Sequence, residues 1–209
     1  RKTAGDRLLL EEKARLVFMD LARAEGAVVA ARLAAPAPLS IGEQFTADFI
    51  AEACSLKASD IKVDTHRPCI ASCGAPLVFA ELASRAALKS AAPRNDVFAR
   101  NLPRDSAAGI HLYVQAKEGE IDTQSRMFAP LHGIPEDSAT GGANVALIGL
   151  LAHHRPEADL TLSKTIGQGF DMGRPSILEG AAEKKAGHVV ATYIGGRCVP
   201  MLKGTIDLG

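Results

Sequence analysis

Two carboxylates, Glu136 and Asp137, stand side by side directly before Ser138-Ala139-Thr140-Gly141-Gly142. An uncharged run follows from 143 to 152, in which Asn144 is the one polar residue. A positioned carboxylate can take up and return a proton. The first turn of a helix leaves backbone N–H groups without partners and carries the positive end of the helix dipole. If a helix starts here, Thr140 can cap it, and Gly141 and Gly142 let a ligand come close to bare backbone. The stretch therefore predicts an anion site for a carboxylate or phosphate, with an acid/base group beside it. A purely structural reading of the same residues stands next to it: the acids complement the helix dipole and the glycines allow tight packing.

The elements around this stretch must position it. The apolar run is too short to span a bilayer and suits a helix buried on every face, so other elements have to wrap it. Met127-Phe128-Ala129 reads as the end of a strand that stops at Pro130. Further strands are expected over 61–64, 76–82, 110–114, 121–128, 160–166, 171–178, 189–194 and 199–206, with a hairpin turn at 117–120 and a tight turn at Gly195-Gly196. Near the start, Glu25-Gly26 reads as the turn of a two-stranded hairpin, although the composition of 11–24 also favours a helix. Residues 40–56 predict a surface helix with Phe45, Phe49, Ile50 and Ala53 at helical spacing and Ser40 or Thr46 as its cap. A short helix is expected over 84–92, stopped by Pro93, and loops over 68–74 and 95–106. Strands on both sides of one buried helix give an α+β class, a barrel-like strand wrap around a central helix.

Composition narrows the function. With 209 residues, 47% hydrophobic and 23% charged, the chain is an ordinary globular sequence with length for one large domain or two small ones. It carries 24 basic and 24 acidic side chains without a basic stripe, so neither nucleic acid nor an anionic membrane is expected as a partner. No run of eighteen apolar residues and no signal-peptide pattern occurs, which predicts a cytoplasmic location. Cys54, Cys69, Cys73 and Cys198 lack the spacing of a zinc site and read as buried, reduced thiols; no metal and no cofactor is expected.

Two segments carry a resemblance. Residues 133–143, Gly-Ile-Pro-Glu-Asp-Ser-Ala-Thr-Gly-Gly-Ala, resemble the G-x-x-E-D-P-A-T-G-S-A signature of the phenazine-biosynthesis (PhzF-like) isomerase family. Residues 168–176, Gln-Gly-Phe-Asp-Met-Gly-Arg-Pro-Ser, are similar to its Q-G-x-x-M-G-R-P-S stretch. The resemblance implies a diaminopimelate-epimerase-like fold of two similar domains, each a strand wrap around a helix, with the site in the cleft between them. On that scheme residues 1–70 are the remainder of an incomplete first domain, and 71–209 form the second domain with its central helix at 141–153. The chain, starting at Arg1, would lack the N-terminal part. The family's Gly-His-Pro-Thr motif and its acid/base glutamate do not occur in these residues.

The same resemblance implies a cofactor-independent isomerase that moves a proton within a small carboxylic acid, working as a homodimer. Asp137 would supply the catalytic carboxylate; Thr140, Gly141 and Gly142 would form the anion-binding turn. Arg174 would contact the substrate carboxylate or hold its loop. Gly142 stands where the family carries serine. The alternative function is a non-catalytic module for small-acid binding or dimerisation. A true epimerase with paired cysteine bases needs a thiol at the helix start, which Gly142 is not. For the remaining polar groups, Glu136 is expected to pair with Arg126 or Arg174 rather than act as a base. His132 is read as a cleft-lining or solvated loop residue, His153-His154 as complementing the helix dipole, and His111 as a packed or edge residue.

Overall fold

The computed structural model describes residues 5–11, 16–115 and 118–206. The first strands are β1 (Arg7–Glu11), β2 (Leu16–Ala24) and β3 (Ala27–Ala34). β2 reverses into β3 at Glu25-Gly26, both at positive φ (51° and 80°), the geometry of a two-residue hairpin turn. Cross-strand partners decide against the competing helix. Val17 lies opposite Leu10 and Phe18 opposite Leu9, so pairing overrides the helical propensity of single residues.

Next come β4 (Ser40–Gln44), α1 (Ala47–Ala53), β5 (Ile61–Lys62), β6 (Cys69–Ser72), β7 (Leu77–Leu82), α2 (Arg85–Ser90) and α3 (Asn95–Asn101). The second half holds β8 (Ile110–Val114), β9 (Thr123–Ala129), β10 (Ile134–Asp137), α4 (Gly141–His153), β11 (Leu160–Gln168), β12 (Ser176–Lys185) and β13 (His188–Arg197). The strands of the described residues join in one mixed sheet, in the order β1-β2-β3-β13-β12-β11-β9-β8-β7-β6-β4. β10 pairs with β9, and β5 with β7. The β7/β8 and β9/β11 pairs are parallel. The sheet does not close: β1 and β4 stand at its two ends. The α+β class holds, as an open wrap rather than a barrel.

The period of two in β7 and β8 separates two cores. Val78, Ala80, Leu82, Ile110, Leu112 and Val114 pack under α1, α2 and α3. Phe79 and Tyr113 point the other way and meet α4, which also packs against Leu33 of β3, Leu178 of β12 and Ile194 of β13. Residues 143–152 are buried on every face, as their uncharged sequence predicts. No helix of the described residues is long and apolar enough to cross a membrane.

Several local expectations are corrected. The helix expected over 40–56 is confined to α1; Thr46 does cap it, its Oγ1 accepting from the Phe49 N–H at 3.2 Å, but Ser40–Gln44 is a strand paired with β6. The expected loop at 68–74 contains β6, because Cys69, Ile70 and Ala71 find ladder partners on β7. The expected loop at 95–106 begins with α3, which buries Val97 and Phe98. Residues 171–175 form a turn, so the strand expected over 171–178 starts at Ser176 and continues to Lys185. Gly195 and Gly196 lie inside β13: a side chain at Gly195 would sit 2.8 Å from the Ala31 carbonyl of β3, so glycine here admits a neighbouring strand instead of making a turn. Residues 199–206 form no strand, and Val199, Met201, Leu202 and Ile206 are exposed. Of the hairpin turn expected at 117–120, Lys117 lies outside the described residues, while Glu118 and Ile121 bridge across the rest.

Candidate active site

β9 is shared. Its first half lies beside β11 and its second half beside β10, which returns after a 3-10 turn at Pro130–His132 and a left-handed Gly133. Asp137, the last residue of β10, sits opposite Met127 and four residues before Gly141, the first of α4. The fork in the sheet thus delivers the carboxylate to the start of the buried helix.

Neighbouring residues on an extended strand point to opposite sides, and the two carboxylates separate accordingly. Glu136 is held by Arg126 through two bonds of 2.7 Å, from Nε to Oε1 and from Nη2 to Oε2. Both side chains are nearly buried. Arg126 Nη1 also donates to the carbonyls of Leu88, Lys89 and Ala91. Glu136 is therefore a structural partner of Arg126, as expected.

Asp137 faces a different set. Thr140 Oγ1 donates to its Oδ2 at 2.7 Å. Gln168, wholly buried at the end of β11, donates its two amide hydrogens to the Asp137 carbonyl (2.8 Å) and to Thr140 Oγ1 (2.9 Å). Its Oε1 accepts from the Thr140 N–H at 3.1 Å and from Asn144 Nδ2 at 2.7 Å. Asn144 gives its second hydrogen to the Thr140 carbonyl at 2.9 Å. Every amide hydrogen of Gln168 and Asn144 has a partner, and such filled buried networks fix geometry. Thr140 occupies the cap position with its hydroxyl spent on Asp137, so it does not cap α4 by side chain. The N–H groups of Gly141 and Gly142 have no partner among the described residues. An open cavity of about 780 Å³ is lined by Ala139 and Gly141 together with Met19, Leu33 and Ile194; Asp137, Thr140, Gly142 and Arg174 are not part of its lining.

A family model described as phenazine biosynthesis-like protein (PhzC-PhzF) matches residues 2–204. The chain belongs to that family. Two curated relatives, both named trans-2,3-dihydro-3-hydroxyanthranilate isomerase, are 32% identical. The one from Pseudomonas chlororaphis matches over 99% of this chain and 69% of its own length; the one from Pseudomonas aeruginosa matches over 97% and 68%. In fold, the chain is similar to the Bacillus anthracis phenazine biosynthesis protein of the PhzF family, with a TM-score of 0.78 at 19% identity, over 93% of this chain and 66% of that one. The chain spans about two thirds of the length of these proteins.

Other positions of this PhzF-family chain fall as follows. Gly142 is exposed, and the nearest heavy atom to a side chain added there would be Ala75 Cβ at 3.9 Å, so the missing serine is not excluded by space. Arg174 is exposed, on a turn whose Gly169 (φ 79°) abuts the Ser138 carbonyl so closely that any side chain would collide at 2.8 Å. This contact brings the Arg174 turn against the Asp137 loop, but no hydrogen bond joins the Arg174 guanidinium to Asp137, Thr140 or Gly141. Asp171, in the same turn, accepts from Arg85 at 2.8 Å.

His132 is exposed in the 3-10 turn. His111 is wholly buried, with both ring nitrogens unpartnered among the described residues. Burial pushes its pKa down to about 3, against the opposing pull of the adjacent Asn144 amide and the Asp137 charge. His154 is also pushed down, to about 4, by partial burial and by His66, His153 and Lys184, so it does not serve the helix dipole as a cation. Lys184 does that instead, donating to the carbonyls of His153 (3.1 Å) and Arg155 (2.6 Å). Cys54, Cys69 and Cys73 are buried and unpaired; Cys198 is exposed, contrary to expectation. Burial raises Cys54 to about 12 and Cys69 to about 11, which removes them as nucleophiles at neutral pH. Among the described residues no three His, Cys, Asp or Glu side chains are grouped to hold a metal ion.

Proposed function

We propose that this chain is a cofactor-independent isomerase, working in the cytoplasm as a homodimer, that moves a proton within a small carboxylic acid. The observation that carries the proposal is the half-buried Asp137 carboxylate, fixed by Thr140 beside the unpartnered N–H groups that open α4. In the ionised form Asp137 takes a proton from one substrate carbon, becomes the neutral acid, exchanges that proton with solvent across its part-exposed carboxyl, and delivers a solvent-derived proton to another carbon. The N–H groups of Gly141 and Gly142, with Arg174, hold the substrate carboxylate meanwhile. The names of the curated relatives support an isomerase and supply a first probe.

The test is incubation with trans-2,3-dihydro-3-hydroxyanthranilate and related cyclic acids in deuterated water. Carbon-bound deuterium is expected with the unaltered chain and none with Asp137→Asn, whose melting temperature should stay within a few degrees. Gly142 in place of serine favours a second reading, a module that binds such acids without turnover. Saturable binding without deuterium uptake would establish that reading and end the first. Sedimentation as a dimer is expected on the family resemblance; monomers at assay concentration would remove that claim.

A further inference from the structure

α2 touches both loops of the candidate site. Its first residue, Arg85, donates through Nη2 to Asp171 in the turn that carries Arg174. At its other end the carbonyls of Leu88, Lys89 and Ala91 hold Arg126, whose remaining nitrogens grip Glu136, the residue before Asp137. Burial presses the Arg126 guanidinium toward its neutral form, but bonded Glu136 and the nearby charge of Asp171 outweigh it and raise its pKa.

Stability does not explain the Arg85–Asp171 pair. Only one of two possible bonds is made, and Arg85 Nη1 and Asp171 Oδ2 are both buried without a partner among the described residues. Unfilled buried donors and acceptors cost free energy, and a part-exposed ion pair joined by one bond recovers little. What such a pair supplies is position.

We propose that α2 is a strut between the two sides of the site, with Arg85 and Arg126 as positioning residues: Arg126 places Asp137, and Arg85 places the Arg174 turn. As far as turnover is concerned, this rests on the isomerase reading.

The experiment compares Arg85→Met, Arg85→Lys and Arg126→Lys by backbone amide exchange without substrate, and then by kinetics. The probes are the N–H groups of Met172, Gly173 and Arg174, bonded within their turn, and that of Thr140, bonded to Gln168. Arg85→Met should speed exchange at 172–174 by about tenfold and leave Thr140 unchanged, with KM rising more than kcat falls. Lysine can make the single bond that Arg85 makes, so Arg85→Lys should restore protection. Lysine cannot make the five bonds of Arg126, so Arg126→Lys should speed exchange at Thr140 and lower kcat. Unchanged exchange at 172–174 in Arg85→Met, or wild-type behaviour of Arg126→Lys, would overturn the strut. If the exchange pattern holds but no chain turns over substrate, the strut stands and the isomerase reading falls.

Discussion

A single step along β10 gives two adjacent carboxylates different work: Glu136 turns to a buried arginine, Asp137 to the helix start. The sequence displays the pair, and Thr140, Gly141 and Gly142, because they are contiguous. It shows Gln168 only as the start of the 168–176 stretch and not as a partner of this loop, because its partners lie 24, 28 and 31 residues away; nor does it give Asn144 a role beyond being the one polar residue in an apolar run. A lone buried amide in such a run is the signal that could have found it. The histidines carry a prediction at this scale. Burial lowers His66, His111 and His154 in the folded chain, while an unfolded histidine titrates near 6.5. The unfolded chain therefore binds more protons in acid, so stability is full above about pH 6.5 and falls as pH drops toward 3. For wholly buried His111 the slope approaches about 1.4 kcal/mol per pH unit; exposed His154 contributes less. Urea midpoints between pH 7 and 4 should show the decline, and His111→Leu should flatten it. An unchanged slope in that variant would show that His111 is not a source of it.

Elements fared differently from residues. Strands with apolar alternation on both sides of α4 could be read directly, as could α4 itself. β6 and α3 could not, because their formation rests on partners that propensity ignores: a ladder on β7, and a core under Val97 and Phe98. α4 is secured at each end by distant side chains, Gln168 at its start and Lys184 at its finish. Its first turn is weakened by two consecutive glycines, and Gly142 has ordinary backbone geometry with open space around it. Gly142→Ser should therefore stabilise the chain by up to about 1 kcal/mol, by narrowing the unfolded ensemble and improving the helix. On the isomerase reading it should also raise the rate of deuterium uptake by restoring a hydroxyl to the exposed first turn of α4. A lowered urea midpoint would mean that the bare backbone at 142 is itself required.

At the scale of the molecule, an α+β wrap was legible because an uncharged helix with strands before and after it has few other solutions. That the wrap stays open was not legible, since closure depends on how β1 and β4 are placed rather than on any local pattern. The same wrap sets an order of events during synthesis. α4 is complete at His153, yet β11, β12 and β13 are made afterwards, and the register with β3 is fixed only when Ile194 meets Leu33. At about 5–20 residues per second, a ribosome leaves a nearly wholly apolar helix for seconds without the part of its cover that β11, β12 and β13 supply. A chain ended before His188 should accordingly bind a hydrophobic dye and sediment with aggregates, where the full chain stays dispersed; equal solubility would mean that β13 is not what shields α4. The interval between making that helix and completing its wrap is the one in which the growing chain exposes the apolar surface most open to aggregation.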